Sequence, residues 1–487
     1  MRYDAAIIGA GAEGLAAAAL LAASGVKTIV VERSERAGGR ATTREFHPGF
    51  RASPFVDELP PIPADIHWAL DLSRRGAIFR PAPVSSAIWP NRQNVLRRGD
   101  ASSVHRFLGA ATERASDIRA HAAREIDNAP RYSFFPLFKA QPAPASWPGE
   151  GWMASSLGEV LAREIGDPDT AAHLAAAALN GRTADPLVTG SALHLSTLDS
   201  SGAVTGGLGR LADALIAAAR EAGAELFLGR DATDIRHAKG RVTGVGLADG
   251  SAIEARAVIS TLDLKRTFLS FFQWNALPKE IVHAVGNFRM AGATARVLFA
   301  LDTALSSAVD RRGAIHVSPD LGDLAEANSA WRTGTIAPRL PMTLRVVSAA
   351  DPMLAPSGQA VVTVTLGAVP YRLFDGAWTR EKRDVLRRQA LAALEMAMPG
   401  AGAHVIAADV IAPPDIEEAL GATDGDLAGG ELAADQMSSA WPDFPYPRCP
   451  LKGLYLAGSW LAMSATCAAG AAAARTVTAD LTSGKLK

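Results

Sequence analysis

Residues 3–32 constrain this chain most, because they hold a complete strand, glycine turn, helix, strand and acid in one short stretch. Asp4-Ala5-Ala6-Ile7-Ile8 predicts a short buried parallel strand. Gly9-Ala10-Gly11-Ala12-Glu13-Gly14 then turns it into an Ala/Leu-rich helix over 15–24, which Gly25 ends. A second strand over 26–31 finishes on Glu32, 23 residues past Gly9 and close to the spacing of a dinucleotide site. Gly9 permits the tight turn, Gly11 has no side chain to hold a pyrophosphate off the backbone, and Gly14 lets the helix lie close on the strand. The helix start at Ala12, Glu13 and Gly14 offers unpaired N–H groups and a partial positive charge to phosphates. Glu32 can accept hydrogen bonds from both hydroxyls of an adenosine ribose and would repel a 2′-phosphate. Glycine turns also serve plain helix packing, but both strands and the acid together favour the nucleotide reading.

The 487 residues can bury a large core and predict two or three domains. Lys and Arg (49) nearly balance Asp and Glu (50) with no basic block, so nothing points to nucleic acid. Cys449 and Cys467 form no C-x-x-C pair, which argues against a disulfide framework, a zinc ribbon or dithiol chemistry and suits a reducing cytosol. Glu13 inside the apolar start rules out a secretory signal, and the Ala-rich stretch 462–474 is too short and weakly apolar to span a bilayer. A cytoplasmic protein is expected, at most peripheral to the inner membrane.

After Glu32 comes Arg33-Ser34-Glu35-Arg36-Ala37-Gly38-Gly39-Arg40-Ala41-Thr42, in which the paired glycines let a loop fold back over a pyrophosphate and Arg40 can neutralise it. This stretch resembles the FAD-binding signature of flavin amine oxidases and carotenoid (phytoene) desaturases. Residues 46–51 continue the resemblance with a segment that leads towards the flavin ring, although Ala52, Ser53 and Pro54 replace the acid and glycine usual there. Thr205-Gly206-Gly207-Leu208-Gly209 restarts a helix to Ala222, followed by strands over 224–228, 241–247, 251–256 and 257–261. That order, and the segment 262–269, resemble the phytoene dehydrogenase-related branch. There the loop after Leu228, holding Ala232 and Thr233, implies an adenine contact.

Between 72 and 202 the nucleotide pattern gives way to Pro-rich pieces (81–90, 142–148) and helices over 102–127, 156–165 and 169–179. Trp89, Phe134, Phe135, Phe138, Trp147 and Trp152 read as core aromatics, with a lipophilic pocket as the alternative. Alternating segments at 295–301, 314–317, 342–348 and 360–366 predict a half-exposed antiparallel sheet, backed by a helix over 380–398. At the end, a strand from 451 reaches the turn Gly458-Ser459, and a helix over 465–481 follows. In the family such a helix end, with Thr466 near it, faces the flavin N1 and C2 carbonyl, where negative charge gathers on reduction. Trp460 to Cys467 depart from the family's His and glycine run.

The resemblance implies an α/β chain. Its Rossmann-like FAD-binding domain (1–72, 203–275 and 413–487) is discontinuous, and an inserted α+β substrate domain with a helical cap takes 73–202 and 276–412. It further implies an FAD-dependent oxidoreductase that takes a hydride from carbon and passes electrons to oxygen, a quinone or another acceptor. Desaturation or dehydrogenation of an apolar, isoprenoid-like molecule, isomerisation included, is the preferred reading. Amine or amino-acid oxidation is the second, and a flavin-fold binding or regulatory protein without turnover is a third. His194 is the candidate acid or base, with a hydrogen-bonded structural histidine as its alternative. Cys467 reads as a small buried residue rather than a covalent flavin anchor. No serine triad, H-E-x-x-H or metal-ligand spacing is present, so no metal is expected.

Overall fold

The computed structural model describes residues 2–81, 84–97, 104, 106–111, 113–114, 150–198, 202–273, 275–290, 292–305, 313–317, 319–436, 446–458 and 465–486. Ser459, Trp460, Trp147, Phe134, Phe135 and Phe138 lie outside them, as does most of the helix predicted over 102–127.

Two seven-stranded sheets organise the described chain. In the first, Arg2–Ile8 is central and runs parallel to Ala252–Ser260 on one side and Thr28–Val31 on the other. Glu225–Phe227 and Leu454–Leu456 extend the parallel part. Strands covered on both faces read as continuous apolar runs, and Thr28–Val31 is wholly buried. Ala5 and Ile7 meet the helices Ala12–Ala23, Gly209–Glu221 and Ala468–Thr482 on one face, whereas Ala6 and Ile8 pack under the opposite layer.

Two sequence expectations change here. The strands predicted over 251–256 and 257–261 are one strand, Ala252–Ser260. Its burial alternates where it pairs antiparallel with Arg241–Leu247 and becomes continuous where it pairs with Arg2–Ile8, which made it read as two. Ala232–Ala238 is a strand of this sheet rather than a loop, paired antiparallel with Arg241–Leu247.

The second sheet runs Val405–Ile411, Ala295–Leu301, Ala360–Leu366, Met342–Val346, Ala314–Val317, Val84–Trp89 and Arg92–Arg97. The hairpin 84–97 was hidden in a Pro-rich stretch. The sheet is also covered more fully than its alternation suggested. Val297 and Phe299 pack against the helix Arg380–Ala397, while Leu298 and Ala300 on the other face meet Phe50, Phe55 and Ile416. Side chains alternate across a strand, so Arg296 points with Leu298 towards the segment 50–57. Leu157–Glu164, Pro168–Ala178 and the 3-10 turn Ser191–Thr197 share a separate apolar cluster beside this sheet. Ser156 caps the first of these helices through a reciprocal box with Glu159, and Asp167 caps the second.

Candidate functional site

A cleft of about 700 Å³ extends from the opening glycine turn to the second sheet. Gly9 has φ of +99°, and a Cβ there would meet Thr261 Oγ1 at 2.3 Å. At Gly14 a Cβ would sit 2.0 Å from the Gly9 carbonyl oxygen, so this glycine sets how closely the first helix approaches the strand. Gly11 is different. Its backbone is extended (φ −74°, ψ 179°) and no atom lies within 4 Å of a Cβ built on it, so what keeps it bare is the space it faces. No side chain caps this helix start. Gly38 N–H donates to Ala10 O at 2.8 Å, folding the second loop back against the first.

Glu32 faces the same cleft, its Oε2 accepting from Ala10 N–H at 2.8 Å and its Oε1 from Ser34 N–H at 2.9 Å. Each oxygen retains a lone pair for a ligand hydroxyl. Arg40 donates to Leu427 O at 2.6 Å; burial lowers its pKa, opposed by Glu13 and Asp426. Asp426 accepts from the N–H groups of Ala428, Gly429 and Gly430, and burial lifts its carboxyl to about 6.

The Glu13 side chain turns away from the helix that carries it. Its oxygens accept from Cys467 N–H and Gly470 N–H, both at 2.8 Å, so it caps the last helix. Burial lifts this carboxyl to about 7, with those N–H groups pulling the other way. The positive end of the last helix is thus partly answered from within the protein. Thr466, one residue before the helix cap, lines the cleft and donates to Pro60 O at 2.7 Å. Cys467 is fully buried, with its thiol held well above the usual range by burial and by Glu13.

Nine of the residues singled out in the sequence therefore line one cleft: Gly9, Gly11, Ala12, Glu13, Glu32, Gly39, Arg40, Ala41 and Thr466. Others are placed elsewhere. Arg33 donates to the carbonyls of Glu417 and Glu418, closing the C-terminal end of the helix Pro413–Leu420. Ala232 is buried at the start of an outer strand, Thr233 beside it is exposed, and Gly458 is buried and not part of the cleft lining. His194 sits inside its 3-10 turn, 4% exposed, with Nδ1 lacking any partner. Burial, and Arg182 after it, depress its pKa to about 3, so it stays neutral; it is not part of the cleft lining that Ser196 and Thr197 reach.

The sequence did not single out the charged groups on the far side. Arg296 forks onto Asp57 at 2.8 and 2.5 Å with both side chains buried, and Arg345 pairs with Glu58 at 2.7 Å. Burial pushes Asp57 up, but Arg296 outweighs it and the carboxylate ends low. Glu58 ends high, raised by burial and by Asp57 against the pull of Arg345.

A bare glycine turn at a helix start, an acid with free lone pairs beside it and a second sheet over the far end define a dinucleotide-binding fold. Residues 14–478 match the family model described as flavin containing amine oxidoreductase, and the chain belongs to that family. Its cofactor is FAD, which suits an open Gly11 and a carboxylate in place of a 2′-phosphate pocket. The chain is 28% identical over 507 residues to a mouse protein, pyridine nucleotide-disulfide oxidoreductase domain-containing protein 2, covering 90% of this chain and 86% of that one. It is 25% identical over 463 residues to a lycopene-forming phytoene desaturase from Paracoccus, covering 89% and 88%. Cyclohexylamine oxidase from Brevibacterium oxydans shares the fold at TM-score 0.61 and 18% identity, over 99% of each chain. The chain is thus an FAD-dependent oxidoreductase of the amine oxidase and phytoene desaturase superfamily. Among the described residues no helix is long and apolar enough to cross a membrane, and no group of three or more His, Cys, Asp or Glu could hold a metal.

Proposed function

We propose that this protein is a dehydrogenase that removes a hydride from carbon in an apolar, isoprenoid-like substrate, by desaturation or a related step. Bound FAD supplies the two-electron acceptor for that hydride. The N–H groups after Gly11 would hold its diphosphate with Arg40 as counter-charge, and Glu32 would hold the adenosine ribose. The observation that carries this reading is the single cleft, shared by Gly11 and Glu32 at one end and by Arg296 and Thr365 of the second sheet at the other.

Pro54, Phe55, Val56, Leu59 and Ile411 supply apolar wall. Arg296 and Arg345 beside them are already paired with Asp57 and Glu58, so this part of the chamber demands no charge from its occupant. Carbon–carbon desaturation also releases a proton. Glu58 is suited to take it, since its basicity is raised, whereas Arg296 holds Asp57 too acidic for that task. The phytoene desaturase relative supports this substrate class.

The test is anaerobic bleaching of the FAD-loaded protein by a panel of polyenes, terpenoid and fatty compounds, and amines. Bleaching by the apolar members is expected. Bleaching by amines alone would replace this reading with amine oxidation, and bleaching by none would favour a flavin-fold protein without turnover.

A further inference from the structure

Behind the cleft lies a second cavity of about 240 Å³. Asp57, Glu58 and Arg345 line both spaces, so they form the wall between them. Ala52, Val204, Leu208, Val346, Val347 and Leu354 make much of the remaining lining apolar.

Two buried hydroxyl oxygens in this cavity, Ser53 Oγ and Thr205 Oγ1, have no hydrogen-bond partner. Ser53 is only 7% exposed. Leaving such a group unpaired costs stability, and buried polar atoms in native proteins nearly always find a partner. Two orphans on the lining of one small apolar chamber therefore call for partners supplied by its occupant.

The charges around them define which atom. Asp57 is neutralised by Arg296 and Glu58 by Arg345, while Asp351 accepts from the N–H groups of Gly206 and Met353. The remaining cation on the wall, Arg80, already donates to Ala350 O. Counting Asp351 against Arg80, the lining carries no net positive charge for a carboxylate or phosphate. Two free hydroxyls suit a neutral oxygen, which can accept from one and, as an alcohol, donate to the other.

We infer that this cavity is a subsite for the oxygen-bearing end of the substrate, so that the molecule is apolar along its reacting part and ends in a neutral alcohol, aldehyde or ketone. The inference rests on the dehydrogenase reading for the reacting part and extends it to the far end. Glu58 and Arg345 have long side chains and are the deformable part of the wall past which that end lies.

The test compares geraniol with myrcene, a hydrocarbon of similar size and branching, on the FAD-loaded full chain. Binding is read by isothermal titration and turnover by anaerobic flavin bleaching. Geraniol is expected to bind about tenfold tighter, the worth of one to two net hydrogen bonds. Ser53→Ala and Thr205→Val should each shrink that preference and together abolish it, with myrcene binding unchanged and the melting temperature retained. Ser53→Val, which fills the chamber, should weaken geraniol beyond the level of myrcene.

Equal binding of the two probes, binding of neither, or a preference that survives the double substitution overturns the subsite; in the last case the orphan hydroxyls serve ordered water only. The two proposals fail separately. Bleaching without preference removes the subsite and keeps the dehydrogenase, whereas preference without bleaching does the reverse.

Discussion

Replacing Gly11 by valine separates the demands of the fold from those of the ligand. The extended backbone at this position is open to any L-residue, and the added Cβ meets nothing within 4 Å. The variant's own stability should fall by no more than about 1 kcal/mol, the difference between glycine and an apolar residue at a helix N-cap. The added methyl groups enter the space reserved for the diphosphate. Moving that group off the helix start forfeits two charge-assisted hydrogen bonds at about 1.5–3 kcal/mol each, so FAD affinity should drop about 10²- to 10⁴-fold. Quenching of flavin fluorescence during titration gives the affinity, and thermal melting of the FAD-free protein gives the stability. Gly14→Val provides the contrast, because a Cβ 2.0 Å from the Gly9 carbonyl should prevent folding itself. If Gly11→Val binds FAD as tightly as the parent, the diphosphate does not lie on this turn and the reasoning fails.

Glu32→Ala should weaken FAD by about 1.5–3 kcal/mol, read in the same titration; unchanged retention would remove its role at the ribose. The pH dependence of the FAD-free protein should carry the mark of Glu13. Its folded carboxyl, at about 7 against 4.5, binds a proton more tightly than the unfolded chain does. Stability is therefore lost as pH rises from about 4.5 to 7, by about 3 kcal/mol at 1.36 kcal/mol per pH unit. Denaturant titrations should find that slope reduced in Glu13→Gln, at the expense of one cap to the last helix, and an unaltered slope would assign it to another group. His194→Asn should leave flavin reduction within about twofold and its pH profile unmoved, whereas loss of a true general base costs about 10²- to 10⁴-fold. Glu58→Gln should instead slow reduction by about that larger factor while FAD stays bound, as single-turnover kinetics would report. Asp57→Asn leaves the buried Arg296 charge short of its partner, and chemical denaturation should register a loss of about 3–5 kcal/mol.

How far the site could be read from the chain follows from how far its parts lie apart in it. The turn Gly9 to Gly14, the acid Glu32 and the loop through Arg40 work within one contiguous stretch, where each residue type answers a backbone demand that spacing reveals. The pairs across the cleft have no such signature. Asp57 and Arg296 are 239 positions apart, Glu58 and Arg345 287, and a lone carboxylate in a Pro-rich loop gives no hint of its partner. Glu13 was legible as part of the turn, but its reach to Cys467 and Gly470 depended on the last helix docking against the first. His194 lies in the same 3-10 turn as Ser196 and Thr197, which line the cleft, but is itself buried within that turn, a distinction that spacing along the chain does not reveal. Ala232 and Thr233 were drawn from resemblance alone, and the pairing of their strand carries them to the sheet's outer edge.

The most direct test of the central claim is a crystal structure of the FAD-loaded protein. The account predicts the diphosphate against the backbone of Gly11 and Ala12, the adenosine ribose on Glu32, and the isoalloxazine end of the cofactor towards Asp57, Glu58 and Thr466. A diphosphate bound away from the opening glycine turn, or a flavin ring that leaves Glu58 and Arg345 in a separate compartment, would contradict it.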